Sequence, residues 1–226
     1  MIGPLLRINV KTLTLVARLD LSWHSLFKHL NEIFRDKSKV NFHIFGCSDG
    51  TEAFYSAKLL MDKLGKEAEK FLPVKASDID EEVIRAAKSG RLKLTENDLY
   101  DFIEGKDVFR SKNIFIKNDV FYKKFGIERK TFDVNSDLKN AVDFKCCALT
   151  DVLKQIEDNS NTVIMCRNVS PYLLPKELEE LISTVSKKLK SRSLFVVGDC
   201  ESNEAFINIR LREGFREIMD NVWQKQ

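Results

Sequence analysis

Two short stretches of the sequence place residue types that can hold a ligand where a chain passes from strand to helix. In IFGCSDGTEAFYSAKLL (residues 44–60) an apolar run ends in Gly46, crosses a small polar turn through Gly50 and reaches Glu52 before a helical pattern begins. Such a turn leaves backbone N–H groups exposed and lets a ligand come close. Closing a plain strand-to-helix connection would use the same glycines. In ASDIDEEVIRAAKSG, Asp78 falls at a strand end, where a carboxylate can accept hydrogen bonds from both hydroxyls of a ribose. Capping the following helix is the other use of the Asp78 and Asp80 pair.

Other chemistries find less support. Cys47, Cys146, Cys147, Cys166 and Cys200 form no C-x-x-C pair and lie in or beside apolar runs, so reduced, buried thiols and a cytoplasmic location are expected. His24, His29 and His43 lack a metal-ligand partner at helical spacing, and each reads as a satisfied surface or core histidine. The net charge of +3 is too small to imply nucleic acid. Arg7, Lys11 and Arg18 interrupt the apolar start, which predicts neither a targeting segment nor a membrane anchor.

The elements that must position these residues follow from hydrophobic period. Trp23, Leu26, Phe27, Leu30, Ile33 and Phe34 recur at three and four, one face of a packing helix. VNFHIFG is a strand and the helix after Glu52 stops at Gly65; FLPVKAS and DIDEEVIRAAKSG repeat the strand and helix unit. Two such units in succession mean a parallel sheet with crossover helices. Between about 93 and 142 the rhythm breaks into a short helix near Thr95 and Phe-, Ile- and Val-rich strands, a small β-rich insertion. VDFKCCAL, a helix from about Asp151, NTVIMCRN, ELEELISTVSKKLK and SRSLFVVGD restore it, and the tail reads as a helix turned at Gly214 into a strand or hairpin. The expected division is 1–36, an N-terminal segment with its packing helix, and 37–226, one domain carrying the insertion.

GCSDGTEAFYSAKLL, ASDIDEEVIRAAKSGRL and IMCRNVSPYL, with GDCES as a weaker fourth, resemble the CheR family of chemotaxis methyltransferases in order and spacing. The resemblance covers residues 11 to 226 and implies an α/β class I methyltransferase fold: a Rossmann-like, mostly parallel sheet with helices on both faces. It implies S-adenosylmethionine (SAM) as cofactor, S-adenosylhomocysteine (SAH) as product, and a protein glutamate as methyl acceptor. By the same resemblance Gly46 belongs to the turn approaching the methionine part of the cofactor, Glu52 is the cofactor-binding glutamate, Asp78 holds the ribose, and Ala148 and Leu149 lie beside the adenine. Ala148 stands where the family places an Asn, and it has no amide to offer. Arg167 and Asn168 match the family's RN pair and Tyr172 the tyrosine near the acceptor; a structural ion pair and a packing residue are the alternatives for Arg167 and Tyr172. Thr12, Thr14 and Arg18 fall in the segment that crosses the cofactor from the N-terminal side. Arg18 is either the group that orients the acceptor or a surface arginine.

Methyl transfer to a carboxylate is an in-line displacement by an oxygen already ionised at neutral pH, so no general base is required. Alignment and partial neutralisation of the acceptor are what the protein must supply, and Arg18 and Tyr172 are the candidates. The expected partner is an acidic protein segment or a receptor-like protein. The insertion, with Lys106, Arg110, Lys112, Lys117, Lys123, Lys124, Arg129 and Lys130, is basic enough to dock it; a solvated face is the other reading. Only about ten residues precede Thr12, where chemotaxis members carry a helical domain, which keeps two other readings open: a small-molecule methyltransferase and an inactive CheR-like binding module. A monomer is expected.

Overall fold

Apolar side chains alternate along the central strands, and the alternation splits the core in two. The computed structural model describes residues 21–94, 115–124, 127–157, 160–201 and 203–226. Strands β1 (Asn41–Phe45), β2 (Val74–Asp78), β6 (Val142–Cys146), β7 (Thr162–Cys166), β8 (Leu194–Val197), β9 (Phe215–Met219) and β10 (Val222–Lys225) form one sheet in the order β6-β2-β1-β7-β8-β10-β9. The first five pair in parallel, and β10 runs antiparallel to both its neighbours. On β1, β7 and β8, Phe42, Ile44, Val163, Met165, Leu194 and Val196 face one cluster; Phe45, Ile164, Cys166, Phe195 and Val197 face the other. Strands buried on both faces read as continuous apolar runs, and these do.

Helices cover both faces. Helices α1 (Trp23–Ile33), α2 (Thr51–Leu64) and α3 (Glu81–Ser89) bury Leu26, Phe27, Leu30, Leu60 and Ile84 in the first cluster. Helices α5 (Leu149–Gln155) and α6 (Pro175–Lys188) bury Val152, Leu153, Leu178, Ile182 and Val185 in the second, with α7 (Glu204–Arg212) laid against it. The tail is a helix turned at Gly214 into the β9–β10 hairpin, as its sequence predicts. No helix among the described residues is long and apolar enough to cross a membrane.

The β-rich stretch is a three-stranded antiparallel sheet, β3 (Arg91–Leu94), β5 (Ile127–Val134) and β4 (Phe115–Lys124) in that order. It begins slightly before residue 93, because Gly90 ends α3 with φ +65° and the chain enters a strand at once. Leu92, Leu94, Phe132 and Val134 join the first cluster, so this end of the small sheet shares the main core. A further turn, α4 (Ser136–Asn140), stands where only strands are expected; the Asn135 side chain accepts the Leu138 N–H at 2.9 Å and caps it. The helix expected near Thr95 lies outside the described residues. So do Lys106, Arg110 and Lys112; Lys117, Lys123, Lys124, Arg129 and Lys130 lie on β4 and β5.

The histidine and cysteine expectations need correction. His24 is exposed and the His29 Nδ1 lies 2.8 Å from the Ser25 carbonyl, but His43 is buried on β1 with neither ring nitrogen hydrogen-bonded. Burial, aided by the positive charge of Lys75, lowers its pKa to about 4, so it is neutral at pH 7. Cys47 and Cys166 are buried, whereas Cys146 and Cys200 are exposed and Cys147 is half-buried, because strand and turn ends at the sheet edge leave them open.

His43 therefore makes stability depend on pH in a defined direction. The unfolded chain takes up its proton near pH 6.5 and the folded one near 4, so its contribution is full above pH 6.5 and is lost as pH falls toward 4. A lowering to about 4 makes that contribution on the order of 3 kcal/mol. His43→Leu should remove most of that slope in urea unfolding at pH 7 and 4.5; equal acid sensitivity in the two proteins would refute it.

Candidate functional site

Strand order reverses direction between β1 and β7, and in doubly wound sheets the crevice outside the strand ends at such a point takes ligands. The turn after β1 and the loop after β7 meet there. Gly46 (φ +63°), Ser48 (φ +50°) and Gly50 (φ +82°) all take left-handed backbone conformations, which glycine adopts without steric cost. Gly46 is exposed at the rim, yet a Cβ on it would come within 2.9 Å of Val169 Cγ2; one on Gly50 would meet Phe144 and Ala87. The room beside both glycines is thus taken by protein, and the accessible part of the turn is the backbone at Gly46. Phe54 and Tyr55, which follow Glu52, are core residues, edge-on to Phe144 and Trp23 respectively.

Asp78 ties this turn to β2. Its Oδ2 accepts the Ser48 N–H at 2.9 Å and its Oδ1 the Asp80 N–H at 3.1 Å. The cap of α3 is Asp80, whose side chain accepts from Glu82 and Val83. The two carboxylates therefore divide the roles that the sequence leaves open. Each carboxylate oxygen can accept more than one hydrogen bond, so half-buried Asp78 retains acceptor capacity for two hydroxyls. Ile79, next to it, is 76% exposed. Across β6, half-buried Ala148 and Leu149 open α5, with Ala148 at the cap position and no side-chain bond. An apolar lip, Ile79, and a carboxylate thus lie beside one another, which suits a nucleoside.

Arg167 leaves the end of β7 only 6% exposed. Its Nη1 lies 3.3 Å from Glu52 Oε2, and its guanidinium stands over the Trp23 ring at 5.3 Å. The ion pair that the sequence offers as an alternative for Arg167 is therefore present, and it joins two of the motif residues to each other. Asn168 follows with φ +58°, then a 3₁₀ turn, Ser170–Tyr172. Tyr172 is 64% exposed, so packing is not its role. Thr12, Thr14 and Arg18 lie outside the described residues.

Two residues at this edge carry no assignment in the sequence reading. Trp23 sits in what reads as a plain packing helix, with no local sign of its cationic neighbour. Glu201, in the GDCES stretch, is buried and accepts from the backbone of the β7 loop. An acid just past the end of an apolar strand was its only signal. The buried thiols are poor nucleophiles: burial raises both Cys47 and Cys166, and the carboxylates near each add to it. No cluster of metal-ligating side chains occurs among the described residues.

The fold and its carboxyl edge define the class, a class I SAM-dependent methyltransferase. The chain belongs to the CheR methyltransferase family: the model of its SAM-binding domain matches residues 14–213. Solved structures similar to it include magnesium protoporphyrin IX methyltransferase from Synechocystis PCC 6803 with bound SAM, at 15% identity and TM-score 0.44 over 89% of this chain and 74% of that one. Others are a SAM-dependent methyltransferase from Archaeoglobus fulgidus (17%, TM-score 0.41, 86% and 69%) and a TehB-like one from Corynebacterium glutamicum (12%, TM-score 0.44, 88% and 84%). Membership of that family makes SAM the cofactor of this chain and methyl transfer its activity.

A buried cation that loses its partner is costly, whereas replacing both members by apolar groups is often neutral. Glu52→Gln should destabilise the protein by about 3 kcal/mol, and the apolar double change Glu52→Met with Arg167→Met should recover half or more of it. Urea unfolding measures both; a Glu52→Gln protein within 0.5 kcal/mol of the wild type, roughly the scatter of neutral substitutions, would contradict the coupling.

Proposed function

We propose that the acceptor is a carboxylate, a protein glutamate, methylated at the crevice between the β1 and β7 ends. The observation that carries this reading is Tyr172: an exposed phenol on the turn after β7, five residues beyond the Arg167 that pairs with Glu52, in the loop that leaves the point where the sheet takes ligands. SAM supplies a methyl group activated by its positive sulfur. Asp78 holds the ribose hydroxyls, the Gly46 turn meets the methionine part, and Ile79, Ala148 and Leu149 flank the adenine. Glu52 and Arg167 fix the wall between them, with Asn168 turning the chain toward the acceptor.

A glutamate acceptor is ionised at neutral pH, so no proton has to be removed before its oxygen attacks. Tyr172 donates a hydrogen bond that orients the carboxylate, and Arg18 offsets part of its charge as it leaves water. Both act by alignment, which explains how a site can work without a histidine or thiol base. Acidic protein segments are the natural carriers of such a glutamate, and the Lys- and Arg-rich sequence of β4 and β5 has the charge that attracts them.

The test is methyl transfer from SAM carrying a labelled methyl group to the acidic proteins of a cell extract. Label released as methanol by mild base, and reduced at least tenfold in Tyr172→Phe, is the expected outcome. Label that stays on protein after base treatment, or that enters small molecules alone, would overturn the glutamate assignment.

A further inference from the structure

We propose that Glu201 is a positioning residue of this site: its buried carboxylate clamps the loop carrying Arg167, Asn168 and Tyr172 onto the end of β8. The proposal rests on reading the carboxyl edge as the cofactor site. Glu201 is 2% exposed and ends a 3₁₀ turn, Asp199–Glu201. Its Oε2 accepts the Asn168 N–H at 2.8 Å and the Gly198 N–H at 3.0 Å; its Oε1 accepts the Ser170 N–H at 2.9 Å. A carboxylate taken out of water needs such donors, and hydrogen bonds to an ionised acceptor are stronger than neutral ones.

The clamp holds a turn in an uncommon conformation. Asn168 has φ +58°, in the left-handed region that few residues other than glycine enter and that asparagine tolerates best among them. Ser170 adds a second tie, its hydroxyl donating to the Cys200 carbonyl at 3.2 Å. Tyr172 is too exposed to be located by packing, so its place follows from the backbone of the turn, whose Tyr172 N–H donates to Val169 O at 3.0 Å.

The surroundings are built to match. Gly198 leaves the needed room: a Cβ there would lie 2.9 Å from Asn168 Nδ2 and 3.1 Å from Glu201 Oε2. Arg210, also buried, donates from Nη1 to the Glu201 carbonyl at 3.0 Å while its guanidinium lies 4.3 Å from the centre of the Trp223 ring. Burial lowers its pKa to about 10 against the opposing pull of Glu217 and Glu201, so it remains a cation at neutral pH. Among the described residues the carboxylate accepts from backbone N–H groups of the loop and strand end. Its removal should loosen the loop while the two apolar clusters keep the sheet.

The test uses two variants that reach the clamp from opposite sides, Glu201→Gln and Gly198→Ala. In the first, an NH₂ replaces one accepting oxygen and faces N–H donors; in the second, the added methyl presses on the Asn168 amide at 2.9 Å and on the Glu201 carboxylate at 3.1 Å, wedging the two apart from the strand end. Amide hydrogen exchange by NMR and SAH titration are measured on wild type and both variants. The expected result is protection of the Asn168, Ser170 and Gly198 amides in the wild type. In both variants these amides should exchange at least tenfold faster and the SAH dissociation constant rise at least tenfold, with β1 and β7 amides unchanged. Three results would overturn the proposal. They are exchange of the three wild-type amides at the rate of an open loop, wild-type SAH affinity in the folded variants, or loss of protection spread evenly over β1 and β7. A wild type that binds no SAH would refute the cofactor reading instead, and the exchange pattern alone would still decide the clamp.

Discussion

The buried pairing of Arg167 with Glu52 is the constraint on which the carboxyl edge depends. A guanidinium enclosed at the end of a central strand is tolerated only beside an opposite charge, because lost hydration costs several kcal/mol per ion. Glu52 must therefore be delivered to the end of β7 from the first turn of α2, where a carboxylate is also favoured by the helix dipole. That placement requires α2 to start close against the sheet, and the left-handed turn at residues 46–50 achieves it. Val169 then packs against Gly46, joining the same two loops a second time.

Asp78 and Glu201 repeat the device on either side. Each is a carboxylate, at the end of β2 or in the 3₁₀ turn after β8, that accepts backbone N–H groups from a neighbouring loop: Ser48 in one case, Asn168 and Ser170 in the other. Three acids thus fix the loops after β1 and β7 along one edge. They differ in what remains free. Glu201 is enclosed and fully engaged, whereas half-buried Asp78 keeps open acceptor positions beside the exposed Ile79. The distinction between an acid enclosed behind the crevice and one left open to it comes from burial, not from residue type.

Burial is also what separates the legible from the illegible in this sequence. The strands and helices that build the sheet announce themselves by period, and the glycine turn and the ASDID strand end by local chemistry. Position along the chain suffices for those. It does not suffice for Trp23, which meets Arg167 across the fold, or for Glu201, whose partners lie more than thirty residues earlier. His43 is similar: its ring lies in an apolar run like those of its neighbours, and only the packed sheet shows that neither nitrogen finds a partner. Asp78 and Asp80, indistinguishable in sequence, separate once Asp80 is seen to cap α3. The exposed thiols of Cys146 and Cys200 come from the ends of strands, where an apolar pattern no longer means enclosure.

The carboxyl edge is the proposed seat of the cofactor, with Asp78 meeting its ribose. Calorimetric titration of SAH into the wild type and into folded Asp78→Ala tests that directly. A micromolar dissociation constant is expected for the wild type, about −8 kcal/mol at 1 μM, weakened at least tenfold in the variant. No binding to the folded wild type, or equal affinity in the two proteins, would contradict it.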